Sequence, residues 1–294
     1  MANTADLHIS KLFSVKDYVC VITGGGTGIG LMSAQALAAN GAKVYITGRR
    51  TEALEQAAES HDPEHEEGGQ IIPIGPCDVT KKEDLEKLSD ELSSKEKYIN
   101  LLICAAGISG TKAEPNDDKA ISLKDKLWKN ETFEQWSDTY NTDVTSVYFT
   151  TVALLPLLQA GTESHGHLSA SVIVISSMSG IMRESQGHFS YNAAKGGTVH
   201  LTKLMSAEFQ KLRIRINSIA PGYFPSEMTT QESDDNQKSQ LPDQKIQDKG
   251  HVPMGRAGSD EEMAQAVLFL TKNSYVNGEI LAVDGGVLNV VSGR

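Results

Sequence analysis

The amino-acid sequence predicts an α/β fold: a doubly wound parallel sheet of about seven strands with helices on both faces. Three observations predict it. Short apolar runs alternate along the chain with longer amphipathic stretches, the pattern of successive βαβ units. The apolar runs are near-continuous, as strands covered on both faces require. Nothing repeats at a fixed period and no linker composition divides the chain, so residues 1–294 read as a single domain.

Taken in order, the strands are expected at "YVCVIT" (18–23), "KVYIT" (43–47), "QIIPIG" (70–75), "INLLICA" (99–105), "SVIVIS" (171–176), "RIRINSI" (213–219) and "EILAVD" (279–284). Helical patterns lie between them near 29–40, 51–60, 81–94, 132–159, 189–212 and 259–272. Two polar stretches, 108–131 and 223–253, interrupt this rhythm. Loops of that length in a compact domain are commonly functional or disordered. Both follow strands, and open α/β sheets bind ligands at the carboxyl ends of strands. The second, 223–253, is expected to form a mobile lid.

Composition narrows the function. The chain is 39% hydrophobic and 22% charged, with a net charge of −11 from 38 acidic against 27 basic residues. That balance disfavours a nucleic acid or an anionic membrane as partner. The N-terminus lacks a basic start followed by a long apolar run, and no segment approaches membrane-spanning length, so a cytoplasmic protein is expected. Cys20, Cys77 and Cys104 are widely spaced, without a Cys-x-x-Cys; they read as buried thiols rather than a disulfide framework or zinc site. His61 and His65 have helical spacing, but Pro63 and the following glycines make a solvated loop the expectation there. No metal site is expected.

The stretch "TGGGTGIG" (23–30) follows the first strand and opens the first helix. A glycine-rich turn at a helix N-terminus lets backbone N–H groups approach a pyrophosphate, and the helix dipole favours its charge. Gly24, Gly28 and Gly30 are spaced as G-x-x-x-G-x-G. The second strand ends "YITGRR". An NAD site usually has an acid here for the adenine ribose. Gly48 cannot serve, whereas Arg49, helped by Arg50, can pair with a 2′-phosphate, so NADP(H) is expected over NAD(H). Asp78 in "CDV" is an acceptor for the adenine amino group, or else the N-cap of the helix that follows.

In "SYNAAKGG" (190–197), Tyr191 and Lys195 stand at i and i+4 on one helix face among small side chains. Alone, such a pair is more often a surface pair. It does not stand alone here: "TGGGTGIG", "CDV", "CAAG" (104–107), "VISS" (174–177), "YNAAK", "INSIAPG" (216–222) and "VDGG" (283–286) occur in order. With these motifs the chain resembles the short-chain dehydrogenase/reductase family, the compact single-domain branch with a Rossmann-type sheet, from about Tyr18 to Gly286. The segments "PGYFPSEMT" and "VPMGRAGSDEEMA" look most like ketoacyl-type NADPH-dependent reductases, including those associated with rhamnolipid synthesis.

The resemblance implies a role for each matching residue. Tyr191 would give a proton to a carbonyl being reduced. Lys195 would bind the nicotinamide ribose and lower the tyrosine's pKa, in keeping with the effect of an ammonium on a phenol whose ordinary pKa is about 10. Ser177 would hold the substrate oxygen, although Ser176 and Ser179 are neighbours. The cofactor would lie on Gly24, Thr27, Gly28, Ile29 and Gly30, with Arg49, Asp78 and Val79 at the adenosine end. Ala105 and Gly107 follow the fourth strand; Pro221, Gly222 and Ser226 would face the nicotinamide, together with Tyr191 and Lys195. The implied activity is reversible, NADPH-dependent reduction of a ketone or ketoacyl carbonyl. Met178, Met182, His188, Phe189, Tyr223 and Phe224 are candidate pocket walls for a largely apolar substrate. A homodimer or homotetramer through 132–159 and 189–212 is implied as well. The alternatives are a nucleotide-binding relative without turnover, or a non-redox activity in the same pocket.

Three departures accompany the resemblance. "CAAG" has Cys104 and Ala105 where the family has two amides that brace the sheet. Asp143 stands seven residues after Trp136, where the family commonly has an asparagine serving a proton relay. Asn141 lies roughly 200° round a helix from it and cannot replace it without a register shift. Asp143 either supports such a relay or pairs with Lys195 and weakens its effect on Tyr191. Ser177 and Tyr191 are fourteen residues apart, about one more than is common.

Overall fold

The computed structural model describes residues 3–63, 68–164 and 169–291. Seven parallel strands form one sheet in the order β3-β2-β1-β4-β5-β6-β7. They are β1 (Val19–Thr23), β2 (Lys43–Thr47), β3 (Gln70–Pro73), β4 (Leu101–Cys104), β5 (Ser171–Ile175), β6 (Arg215–Pro221) and β7 (Ile280–Val283). The order runs outward from β1 in one direction and from β4 in the other, so the chain changes direction between those two strands. Thr23 is in register with Thr47 of β2 and with Cys104 of β4, so their carboxyl ends form one edge. A crevice at such a switch point is where doubly wound sheets take nucleotides.

The apolar runs become strands because both faces are covered. On one face Ile22, Ile46 and Ile103 pack with Leu31 and Leu37 of the helix Gly28–Ala39 and with Met263 and Leu270 of Asp260–Lys272. On the other, Val21, Leu102 and Val172 meet Leu85 and Leu88 of Lys82–Lys95, Leu158, and Met205 of Phe189–Phe209. Cys20, Cys77 and Cys104 are free and buried. Burial pushes the Cys104 thiol up to about 12, which makes it an inert core residue.

Several expectations need correction. The pattern at 132–159 is one helix in the sequence reading but three in the structure. Phe133–Tyr140 passes through a π-helical turn, Asn141–Thr145, into Ser146–Ala153; the chain then bends by 56° into Leu155–Ser164. Pro156 explains the break: it lacks an N–H and its ring crowds the carbonyl one turn back. The polar stretch 108–131 contains the helix Ala120–Trp128, and 223–253 contains Glu227–Thr230 and Asp243–Gln247. His61 ends the helix Thr51–His61 and bonds Gln35 and the Asn236 carbonyl instead of lying in a loop; His65 lies outside the described residues. Asp78 is not a helix N-cap, a position held by Lys81; its Oδ1 accepts from the N–H and hydroxyl of Thr80.

Candidate active site

At the carboxyl edge of the sheet a cleft of about 720 Å³ runs from Gly24 and Thr27 to Arg49, Asp78 and Val79. The glycine turn shapes its floor. A Cβ on Gly30 would stand 2.1 Å from the Gly24 carbonyl oxygen, so only glycine lets the helix start so close to β1. No side chain caps the first turn of Gly28–Ala39, which leaves the N–H groups of that turn for an anion. Arg49 lines the cleft and is exposed, whereas Arg50 is held in a fork by Glu227, at 3.1 and 2.7 Å.

The cleft continues through Thr27, Ala105 and Gly107 into a second space of about 200 Å³ bounded by Gly28, Ile29, Gly30, Pro221, Gly222, Ser226, Tyr191 and Lys195. Beyond Ser177 and Tyr191 lies a third, of about 240 Å³. Its walls are mixed. Met178, Tyr223, Met228 and Leu241 are apolar or aromatic, while Gln186, His188, Asn192 and Lys249 are polar. Tyr223 Oη lies 3.0 Å from His251 Nε2 and 3.0 Å from the amide nitrogen of Gln186, so three segments meet at this wall. Met182 packs instead with Val287, Leu288 and Val291. Phe189 is exposed, and Phe224 borders the second space rather than the third.

Around Tyr191 the contacts are specific. The Ser177 hydroxyl stands beside the phenol and favours its ionised form, and the Lys195 ammonium lies 5.6 Å from the ring centre. Lys195 donates to the Ile175 carbonyl at 3.1 Å and faces Asp143 Oδ2 at 3.6 Å. Asp143 Oδ1 accepts from the Ile108 N–H at 2.8 Å. Burial pushes the phenol's pKa up; Lys195 opposes this, Asp143 adds to it, and the Ser177 hydroxyl opposes it. Burial also pushes the Asp143 carboxyl up, against the pull of Lys195 and of the Ile108 N–H. Ser176 is engaged elsewhere: its hydroxyl donates to the Ile219 carbonyl and accepts from Ser218. Ser179 donates its N–H to Ser177 Oγ.

A family model described as enoyl-(acyl carrier protein) reductase matches residues 24–288. The short-chain dehydrogenase/reductase PhomF of Diaporthe leptostromiformis is 36% identical over 300 residues, covering 98% of this chain and 97% of its own. The chain belongs to the short-chain dehydrogenase/reductase family. The 3-oxoacyl-[acyl-carrier-protein] reductase FabG of Chlamydia trachomatis is 33% identical, covering 91% of this chain and 96% of its own. Among solved structures, the RhlG/NADP active-site complex of Pseudomonas aeruginosa has 28% identity and a TM-score of 0.75, over 94% of this chain and 98% of that one.

Short-chain dehydrogenases bind a nicotinamide cofactor, and the cleft fits one, with its uncapped helix end, its glycine floor and a free arginine at the far end. Every residue expected to touch the cofactor borders the first or second space. Sequence reasoning missed Glu227, Asn141 and Thr142, which also line the cleft. Glu227 reaches it by pairing with a residue 177 positions away, for which no local pattern exists. Among the described residues no group of three or more His, Cys, Asp or Glu is arranged to hold a metal ion.

Proposed function

We propose that the protein is an NADPH-dependent oxidoreductase that reduces a ketone or ketoacyl carbonyl to an alcohol, reversibly, with Tyr191 as the acid–base group. The observation that carries this reading is the meeting of Ser177, Tyr191 and Lys195 where the dinucleotide cleft opens into the mixed pocket. A nicotinamide cofactor held there would supply or accept the hydride. Tyr191 holds the proton at Oη and delivers it to the carbonyl oxygen. Ser177 donates a hydrogen bond to the same oxygen as negative charge develops on it. Lys195 stabilises the phenolate left behind and, beside it, takes the ribose of the cofactor.

Arg49 at the adenosine end supports NADP(H) over NAD(H), as does the NADP complex of the related RhlG. The mixed pocket favours a carbonyl compound with an apolar portion against Met178, Tyr223, Met228 and Leu241, and a polar group towards Lys249. Segment 223–253 serves as the lid on this reading, since Met228, Thr229, Leu241 and Lys249 all come from it. The protein works in the cytoplasm as a homo-oligomer.

The test is NADPH oxidation across ketones and β-ketoacyl thioesters, with NADH and Tyr191→Phe alongside. NADPH-selective turnover, lost by roughly 10²-fold or more in the variant, is the expected outcome. Nucleotide binding without turnover of any member would favour the binding-protein alternative.

A further inference from the structure

Among the described residues three charged side chains are buried: Asp143, Lys195 and Arg215. Two of them meet beside Tyr191. Asp143 is 1% exposed and Lys195 4%. A buried carboxylate is costly unless it is paired and hydrogen-bonded. Oδ1 has the Ile108 N–H; Oδ2 is buried with no hydrogen bond and faces the Lys195 ammonium at 3.6 Å. The surroundings are built for this pair. The π-helical turn carries Asp143, and its own carbonyl accepts from Thr198 Oγ1 of the Tyr191 helix at 2.8 Å. Gly107 closes over both heads; a Cβ there would lie 3.2 Å from Asp143 Oδ1 and 3.4 Å from Lys195 Nζ.

We infer that Asp143 is a positioning residue that opposes the Lys195 charge at Tyr191, keeps the phenol protonated to higher pH, and thereby extends the pH range in which the site reduces carbonyls while delaying alcohol oxidation to more alkaline pH. The inference rests on the reading of Tyr191 as the acid–base group. In reduction the Tyr191 O–H bond breaks as the alcohol O–H forms, so the reactive form is the phenol. In oxidation the phenolate takes the alcohol's proton. Below the phenol's pKa the phenolate fraction falls tenfold per pH unit, and oxidation falls with it; above it, reduction falls instead.

The charged groups acting on Tyr191 are Lys195, from its own helix, and Asp143, from the π turn; Lys195 is the one acting on Asp143. An ammonium favours phenolate and a carboxylate disfavours it. Burial pushes both the Asp143 carboxyl and the Tyr191 phenol up. An ordinary phenol ionises about six pH units above an ordinary carboxyl, and the ammonium beside Asp143 favours its charged form, so the carboxylate is the form that faces the phenol as it titrates.

Asp143→Asn separates charge from bracing, since the amide oxygen can still accept from Ile108 while the charge is gone. The first readout needs no turnover: tyrosinate absorbance is titrated in wild type and in Asp143→Asn, each against its Tyr191→Phe counterpart. Tyr191 should ionise about one pH unit or more lower in Asp143→Asn. An ionisation beyond reach in wild type that enters the accessible range in the variant counts the same way. In turnover, oxidative kcat/KM at a fixed pH below the pKa should rise about tenfold for each pH unit by which the phenol's ionisation moves down. The alkaline loss of reduction should move down equally. Unchanged titration in Asp143→Asn overturns the inference. Asp143→Ser, which also removes the charge, carries the same test if the amide variant does not fold. If wild type turns over no carbonyl, the acid–base reading of Tyr191 fails, and the titration still decides whether Asp143 acts on the phenol.

Discussion

Arg49 and Arg50 are adjacent at the end of β2, yet their surroundings divide the work between them. Arg50 forks onto Glu227 from segment 223–253, and Ser233 also donates to that carboxylate at 2.7 Å. The hydrogen bond from Arg50 holds Glu227 below the usual carboxylate range. Arg49 has no carboxylate in salt-bridge range among the described residues and lines the cleft. On the proposed NADP(H) reading the 2′-phosphate falls to Arg49, while Arg50 pairs with Glu227 of segment 223–253 beside the cleft. Charge-assisted contacts of this kind are the stronger ones, so Arg49→Ala should raise KM for NADPH about tenfold or more and leave KM for NADH nearly unchanged. Arg50→Ala should affect both cofactors alike, through the segment it fastens. Steady-state kinetics with the two nucleotides checks this; equal losses from Arg49→Ala would remove it from phosphate recognition.

The seam between β6 and the helix Asp260–Lys272 turns on Arg215, a buried cation inside an apolar strand. Its guanidinium donates to the carbonyls of Leu270, Thr271, Asn273 and Val276 and to Ser169 Oγ. The carbonyls of Leu270, Thr271 and Asn273 lie at the helix end, where positive charge is favoured. Burial lowers the Arg215 pKa to about 10. Arg215→Ala strands several buried acceptors, each costing about 1–3 kcal/mol, so a loss of about 3 kcal/mol or more is expected. Thermal denaturation should show the melting temperature falling by about 5 °C; an unchanged value would mean that water replaces the guanidinium. Elements were legible in the sequence where burial imposed a pattern. All seven strands appear within a few residues of the apolar runs, because both faces of the sheet are covered. The helix Ala120–Trp128 buries no residue, and its short apolar spacing (Ala120, Leu123, Leu127) is hidden within a long polar stretch. The π turn leaves no pattern either, though it delivers Asp143 to Lys195. Of the site, the glycine turn and the Tyr191–Lys195 pair were legible because one helix or turn carries each. The Arg50–Glu227 fork and the mixed pocket wall were not, because separate segments build them.

On the scale of the whole molecule, the outward side of two helices stands out. Phe133–Ala153 and Phe189–Phe209 pack together, with Phe149 of the first (41% exposed) and Leu204 of the second (55%) left open to solvent. Tyr148 stacks edge-on against Phe149 at 5.4 Å between ring centres. Large apolar side chains left exposed on a chain with a net charge of −11 favour an interaction face along these helices, and aromatic residues are enriched at the centre of such faces. In the homo-oligomer proposed above this face meets its own copy about a two-fold axis, the commonest closed arrangement. Light scattering should then give a mass that is a multiple of 31.7 kDa, and Phe149→Glu with Leu204→Glu should return it to the monomer. The buried sides of the same two helices carry Tyr191, Lys195 and the turn bearing Asp143. Dissociation should therefore lower kcat along with the melting temperature, although neither substituted residue borders the pocket. A wild-type monomer at micromolar concentration would instead assign the apolar face to a different partner.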